Sequence, residues 1–466
     1  MRVTQEPPAG GGPPPPHRRP LAALRAAGPA ALAALLGLAG LTDAGRWCAW
    51  GMLAPLFAAP ARSRWQWTLF GALLNGACLL PYRNALTLEL VAPLDANLVY
   101  GGVVCAAVLP YLLLDVIARR WRPLPAPAAA AAVAGIWLAT DSVLATKYWY
   151  ALAMDQAPLW IVRHAGEEGL ALGMVGTSLV LGTSLRLAGA RRLLVAGAAT
   201  AAVGWLCLGR PLEAPRAWPG ADVVAVQLGP PARAAQPEAQ RLLASLHATA
   251  LQGWAPDLVV LPELDGIPLL DGDPRLAPFL RASRLLGAEI LISGPRPADP
   301  PLAAVRVTGL LRDGALAPFT VPKLALVPYY ESLRGRDGRR WVVGDRAAPR
   351  LLESRAGALA PLLCYEVFDR TALRGLARAP ALVVVAADTT AFGDPALGRY
   401  VVHAAAFRGQ AARAPVVLAN YGGPSAVLFP DGGRARVFTR GEAGIFRIAP
   451  DGQVTPVRFA WPASAP

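Results

Sequence analysis

Residues 258–263 read Leu258-Val259-Val260-Leu261-Pro262-Glu263: four apolar residues and a proline closing on a carboxylate. A run with no polar alternation suits a strand buried on both faces, in a sheet covered on each side. Outward from it, similar runs recur at 223–228, 289–293, 303–311, 359–364, 382–387 and 416–420. Helical patterns near 237–252, 370–377 and 397–412 alternate with them. That alternation predicts an α/β layered domain over 216–466. Tail hairpins are expected at Pro430-Asp431-Gly432-Gly433 and Pro450-Asp451-Gly452.

The first half has a different texture. The chain of 466 residues is 54% hydrophobic and only 16% charged, with mean hydropathy +0.38. A soluble chain carries about a quarter charged residues, so the deficit points to membrane spans and away from disorder. Residues 1–26 are expected to be a disordered Pro/Gly-rich arm, and no apolar core of a cleaved signal peptide is seen in 1–20. Apolar stretches then recur at 27–42, 47–61, 65–82, 97–118, 126–145, 165–187 and 193–209, which predicts a transmembrane helical domain over 27–215 with about seven spans. The first two are short enough to form a helical hairpin.

Arginines cluster on every second loop: Arg18, Arg19 and Arg25; Arg62 and Arg64; Arg119, Arg120 and Arg122; Arg186, Arg191 and Arg192. The positive-inside bias then places the N-terminus in the cytoplasm and everything beyond about residue 215 on the opposite, in a bacterium periplasmic, face of the inner membrane. The net charge of +14 is explained by these flanks, and nucleic acid is not expected as a partner because no basic stripe concentrates it. Tyr148-Trp149-Tyr150 and Trp160 fall on the outer side, either as an interfacial belt or as substrate contacts.

Cys48, Cys78, Cys105 and Cys207 lie in apolar runs, whereas Cys364 stands alone in the second half. It is either a nucleophile or an ordinary core thiol. No CxxC or His/Cys ligand spacing occurs, so no metal is expected, and no cofactor. Only two of the 45 basic residues are lysines, Lys147 and Lys323. An ammonium can be desolvated or act as a compact charge at an oxyanion, which a guanidinium does poorly. A carboxylate, an ammonium and a thiol at strand ends form a coherent set of base, oxyanion stabiliser and nucleophile. Glu263 can equally be a structural partner of an arginine, and His403 an ordinary helix residue.

At these residues the sequence resembles the nitrilase (carbon–nitrogen hydrolase) superfamily and, more narrowly, bacterial apolipoprotein N-acyltransferases. The matching motifs are Pro262-Glu263, then Lys323-Leu324-Ala325-Leu326-Val327-Pro328-Tyr329-Tyr330-Glu331, and Cys364-Tyr365-Glu366; Phe392-Gly393-Asp394, Arg408 and Pro415 match more loosely. The resemblance implies an αββα sandwich behind a polytopic membrane domain, with catalytic Glu263, Lys323 and Cys364 supported by Glu331, Tyr365 and Glu366. It implies transfer of a fatty acyl chain from a phospholipid, through a cysteine thioester, to the N-terminal diacylglyceryl-cysteine of an apolipoprotein. The partners would be phospholipid donor, diacylated apolipoprotein acceptor and the bilayer. The chain departs from the family at Ala387-Asp388-Thr389-Thr390-Ala391, at Ala325, Tyr330 and Gln227-Leu228-Gly229, and in the last membrane helix expected after Phe459-Ala460-Trp461-Pro462. The alternatives are a membrane-tethered amidase of the same superfamily, or an inactive binding relative.

Overall fold

The computed structural model describes residues 19–40, 46–59, 65–80, 83, 93–120, 125–143, 160–208, 218–229, 238–264, 266–298, 303–327, 331, 340–348, 350–369, 371–390, 395–430, 434–439 and 441–458. Of the expected features, residues 1–18, Tyr148-Trp149-Tyr150, Tyr330, Phe392-Gly393-Asp394, Asp431-Gly432-Gly433 and the tail 459–466 lie outside the described residues.

Among the described residues, those from Arg19 to Leu208 are mostly helical. α1 (Arg19–Gly40) leads through a 3₁₀ turn (Arg46–Gly51) and α2 (Ala54–Ala58) to α3 (Gln66–Cys78), α4 (Pro93–Arg120), α5 (Ala126–Val143), α6 (Trp160–Ser184) and α7 (Ala190–Leu208). α1 takes in residues expected in the arm, because Leu21-Ala22-Ala23-Leu24-Arg25-Ala26-Ala27 is a run of strong helix formers. Among the described residues one helix, Ala96–Ile117 within α4, is long and apolar enough to cross a membrane; Ala27–Gly40, Trp47–Ala58 and Ala126–Ala139 are shorter apolar helices. Charges interrupt the other helices: α6 carries Arg163, Glu167 and Glu168 near its start, α7 carries Arg191 and Arg192, and α5 carries Asp141.

The bundle is fastened by few polar contacts and close backbones. The Thr68 backbone N–H and hydroxyl both donate to Asp115 Oδ2 of α4 (2.8 and 2.6 Å), which sets a carboxylate at the positive end of α3. The Trp137 indole donates to the Tyr111 hydroxyl (2.9 Å). A Cβ on Gly71 would stand 2.6 Å from the Tyr111 ring, so α3 and α4 approach this closely only because that position is glycine.

The second half is built from two sheets. In the first, β1 (Val223–Gln227), β2 (Leu258–Val260) and β3 (Glu289–Ala298) are parallel; β4 (Ala303–Arg312) and β5 (Ala315–Pro322) extend it antiparallel, and β6 (Arg340–Trp341) pairs with β4. The second runs from β7 (Leu352–Ser354) through β8 (Gly357–Leu363), β9 (Leu382–Asp388) and β10 (Val416–Tyr421) to β11 (Ser425–Leu428) and β12 (Arg434–Phe438), with β8, β9 and β10 parallel. Finally β13 (Gly444–Ile448) and β14 (Val454–Arg458) close the β1 side of the first sheet. Outside lie α8 (Glu238–Leu251), α9 (Ala277–Leu286) and α10 (Pro395–Ala412).

Successive strand side chains face opposite ways, and burial sorts them into three layers of contact. Val223, Ala225, Leu258 and Val260 share a core with Leu359, Val384, Val417 and Ala419 of the other sheet. Val224, Val226, Val259 and Ile290 pack with Leu242 and Leu246 of α8 and Phe279 of α9. Leu362, Val383, Val385 and Leu418 pack with Val401, Ala404 and Ala405 of α10. The order is helix, sheet, sheet, helix, the four-layer sandwich that the resemblance implies. The two sheets meet at their carboxyl ends, where Leu228 bridges Tyr421 and the Gly422 N–H donates to Leu228 O (2.7 Å). Of the helix expected at 370–377, residues 371–375 instead form turns. The Asp369 carboxylate accepts the Thr371 N–H (2.8 Å), and Gly375 takes φ +73°.

Candidate active site

Three strand ends deliver the expected residues to one place. Glu263 lies just past β2, on a segment fixed by Leu261 N–H to Leu291 O (3.1 Å) and Leu264 N–H to Ser293 Oγ (3.1 Å). Lys323 follows β5, and its N–H donates to Arg306 O on β4 (2.7 Å). Cys364 follows β8 from the opposite sheet and opens a 3₁₀ turn, Cys364–Phe368. Its φ of +45° lies in the left-handed region, a strained setting for a non-glycine residue.

The charged groups are locked together. Lys323 Nζ donates to Glu263 Oε1 (3.1 Å) and Glu331 Oε1 (2.8 Å). Arg306 Nη1 lies 2.7 Å from Glu263 Oε1 and 2.5 Å from Glu331 Oε1, with its guanidinium over the Trp341 ring. Glu331 Oε2 accepts the Val327 N–H (2.6 Å). Lys323, Glu331, Glu263 and Arg306 are only 0, 1, 2 and 6% exposed. Two acids and two bases therefore form a buried set of zero net charge, the condition under which such burial is tolerated.

Burial raises the Glu263 carboxyl, but the Lys323 and Arg306 charges and hydrogen bonds outweigh it, so the group is held below its ordinary range. For Lys323, burial works against the ammonium, and the two carboxylates more than offset this; it stays protonated. The Cys364 thiol is pushed well up, by burial first and then by Glu263 and Glu331, with Lys323 opposing. The resting pair is thus a neutral thiol beside an ionised carboxylate, close enough for each to feel the other. That arrangement suits a base acting during attack more than a standing thiolate.

Glu366 holds the frame. Its Oε1 accepts the Leu324 N–H (2.7 Å) and its Oε2 the Leu363 N–H (2.8 Å), so one carboxyl ties the residue after Lys323 to the residue before Cys364. Burial pushes this group up to about 7. Glu366→Gln keeps one acceptor and turns an amide NH₂ toward a backbone N–H. Leaving one such donor unpaired costs about 1–3 kcal/mol. Acylation of Cys364 by a reactive ester probe is therefore expected to slow by roughly 10–100-fold, with a lower unfolding midpoint, both read on the same preparation. Tyr365 packs beside Phe368, ring centroids 5.7 Å apart. The divergent segment at 387–390 is ordered by β10: the Thr389 N–H donates to Tyr421 O (2.9 Å), and Asp388 Oδ1 caps Thr390. The Cys364 thiol donates to Asp388 O (3.6 Å).

Arg306 is the residue that sequence reasoning missed. Its signal was a charge inside an otherwise apolar strand, Val305-Arg306-Val307. Arg306→Gln removes one of the two cations that hold Glu263 ionised, so the Glu263 pKa rises. The acid side of kcat/KM, where the base becomes protonated, is expected to move to higher pH, and Arg306→Lys to restore it. A pH series on the three proteins checks this.

The core around the thiol extends into the helical half. Cys364, Val367 and Val385 share a core cluster with Leu79 and Val103, and Val99, Tyr100 and Val104 of α4 pack against it. Among the described residues no group of three or more His, Cys, Asp or Glu side chains is placed to hold a metal ion.

No family model matches the chain, and no curated protein does. It is similar in structure to an amidase from Nesterenkonia sp. AN1 carrying the Michael adduct of acrylamide on its active-site cysteine. That match has 19% identity over 48% of this chain and 91% of that chain, with TM-score 0.36. A cysteine-to-serine variant of the same nitrilase-superfamily amidase is similar at 19% identity over 50% and 92%, TM-score 0.36. A further structure of a Nesterenkonia sp. amidase is similar at 18% over 53% and 93%, TM-score 0.37.

Proposed function

We propose that this chain is a membrane-bound N-acyltransferase that moves a fatty acyl group from a phospholipid, through a thioester on Cys364, to the α-amino group of a diacylglyceryl-cysteine at an apolipoprotein N-terminus. The observation that carries the reading is that the core cluster holding Cys364, itself set among Glu263, Lys323 and Glu331, takes in Val103 of α4 and has Val99, Tyr100 and Val104 packed against it. A thiol whose surrounding core runs on to an apolar helix is open to chains arriving from a bilayer. Exposed Leu98, Leu109 and Leu113 on α4, and Leu172 on α6, give that half a lipid-compatible surface. The polytopic arrangement and the placement of the sandwich on the periplasmic face of a bacterial inner membrane belong to the same proposal.

The chemistry follows from the charges. Glu263 takes the thiol proton as sulfur attacks the ester carbonyl, and Lys323 stabilises the oxyanion that forms. Collapse breaks the ester C–O bond, and the proton on Glu263 passes to the departing lysophospholipid alcohol. The acceptor amine then attacks the thioester and gives its proton to Glu263, and the thiolate leaves and is reprotonated. No outside reductant or oxidant is needed.

A second reading, an amidase whose thioester is resolved by water, is favoured by the enclosure of Cys364, which is only 7% exposed and suits a small acyl group. Labelled phosphatidylethanolamine separates the two. Hydroxylamine-sensitive label that persists on Cys364 until a diacylated lipopeptide amine is added supports transfer. Label lost in buffer alone supports hydrolysis, and an unlabelled protein sinks the acyltransferase reading.

A further inference from the structure

Against Leu324, the residue after Lys323, lies a cavity of about 720 Å³ into which Arg346, Arg350, Arg374 and Arg378 converge. Glu353 is the one carboxylate among its lining residues, and Arg378 engages it. Arg374 reaches from the cavity to Glu168 of α6 (3.0 Å). Arg350 stands 3.8 Å from Glu366, an acid whose oxygens already accept two backbone N–H groups. The Arg350 Nε is buried without a hydrogen-bond partner, and among the described residues Arg346 has no hydrogen bond or ion pair. On the other side of the 373–378 turn a second cavity of about 440 Å³ shares Arg374 and Arg378 and adds Arg408 and Arg413.

Guanidiniums gathered around one space repel each other unless an anion sits between them, and their forked donors match phosphate oxygens. The position of the cavity says which phosphate. Glu168 marks its α6 edge, and Leu172, four residues on and so on the same helix face one turn away, is 54% exposed. An amphiphile with an anionic head and an apolar tail uses both features; a free phosphate or an acidic peptide uses only the arginines.

We propose that the arginine cavity holds the phosphate of a glycerophospholipid, its acyl chains leaving along Leu172 of α6. The proposal deepens the acyltransferase reading and rests on its membrane setting, but its test involves no turnover. Native mass spectrometry of the full chain in neutral detergent, titrated with short-chain phosphatidylglycerol, reads occupancy directly. The arms are diacylglycerol of the same chain length, inorganic phosphate, and a glutamate-rich peptide.

Phosphatidylglycerol is expected to bind, diacylglycerol to bind at least tenfold more weakly, and the Arg346→Gln/Arg350→Gln protein to lose at least about tenfold in affinity, as expected for lost charge-assisted contacts. Arg275→Gln, remote and exposed, should change nothing. Arg346→Gln alone, at an exposed position, keeps the comparison open should the double variant fail to fold. Unchanged affinity in folded variants overturns the proposal. So does equal binding of diacylglycerol, inorganic phosphate binding as tightly as the lipid through the same arginines, or displacement of the lipid by the acidic peptide. Cys364 labelling, measured separately, reports on acyl transfer whichever way this binding result falls.

Discussion

Phosphatidylethanolamine is expected to leave no hydroxylamine-sensitive label on the Cys364→Ala protein, and the proposed acyl transfer to fall on the order of 10⁴-fold or more, the scale seen when a covalent nucleophile is removed. The substitution is clean because alanine inherits the φ of +45° and deletes only the sulfur. The same angle yields a stability readout. Glycine adopts the left-handed region without a Cβ penalty, so Cys364→Gly is expected to unfold at higher urea than Cys364→Ala, by about 1 kcal/mol. An alanine protein that still labels would place the nucleophile elsewhere. Equal urea midpoints would mean the turn carries no strain.

Lys323→Met is expected to be the most disruptive change to stability. It leaves Glu263 and Glu331 sharing Arg306 as their nearest cation, in a space closed to water. Stranding one charge of a buried set costs about 3–5 kcal/mol, and losing an oxyanion donor costs about 10²–10³ in rate. Combining it with Glu331→Gln rebalances the charge, so the double variant should regain melting temperature without regaining turnover. The acid dependence has a definite sign. Glu263 is held below its ordinary range, so in the native chain its contribution is present at neutral pH and fades as pH falls through the lowered value. Lys323→Met has already lost much of that contribution at neutral pH, and its stability should fall less on acidification. Thermal melts across pH decide this, and a variant as stable and active as the native chain would remove the lysine from the site.

The legible part of this molecule was local. Uniformly apolar runs such as Leu258-Val259-Val260-Leu261 mark covered strands, and a lysine in an arginine-rich chain marks itself. Long-range pairing left no such trace. Arg306 is one arginine among many until β4 and β5 bring it over Glu263 and Glu331. α9 escaped notice because it is short and Pro278 opens it, although Phe279 and Ser283 are buried and Arg281 and Arg284 are exposed. The hairpin expected at Pro450-Asp451-Gly452 is the one that β13 and β14 form, and Pro456 is tolerable there because β14 is the sheet edge. Nothing in the periodicity of α4 says that Val99 and Val103 rest on the core around Cys364.

That last contact gives bilayer thickness a handle on the chemistry. The apolar stretch Ala96–Ile117 has 22 residues, about 33 Å at the helical rise. Lipids with shorter chains would force such a helix to lean, and Val99 and Val103, near one end of the stretch, would swing furthest. In the proposed membrane setting, turnover would then track the chain length of the surrounding lipids even when the donor is held constant, so that the solvent of the reaction also sets its pace.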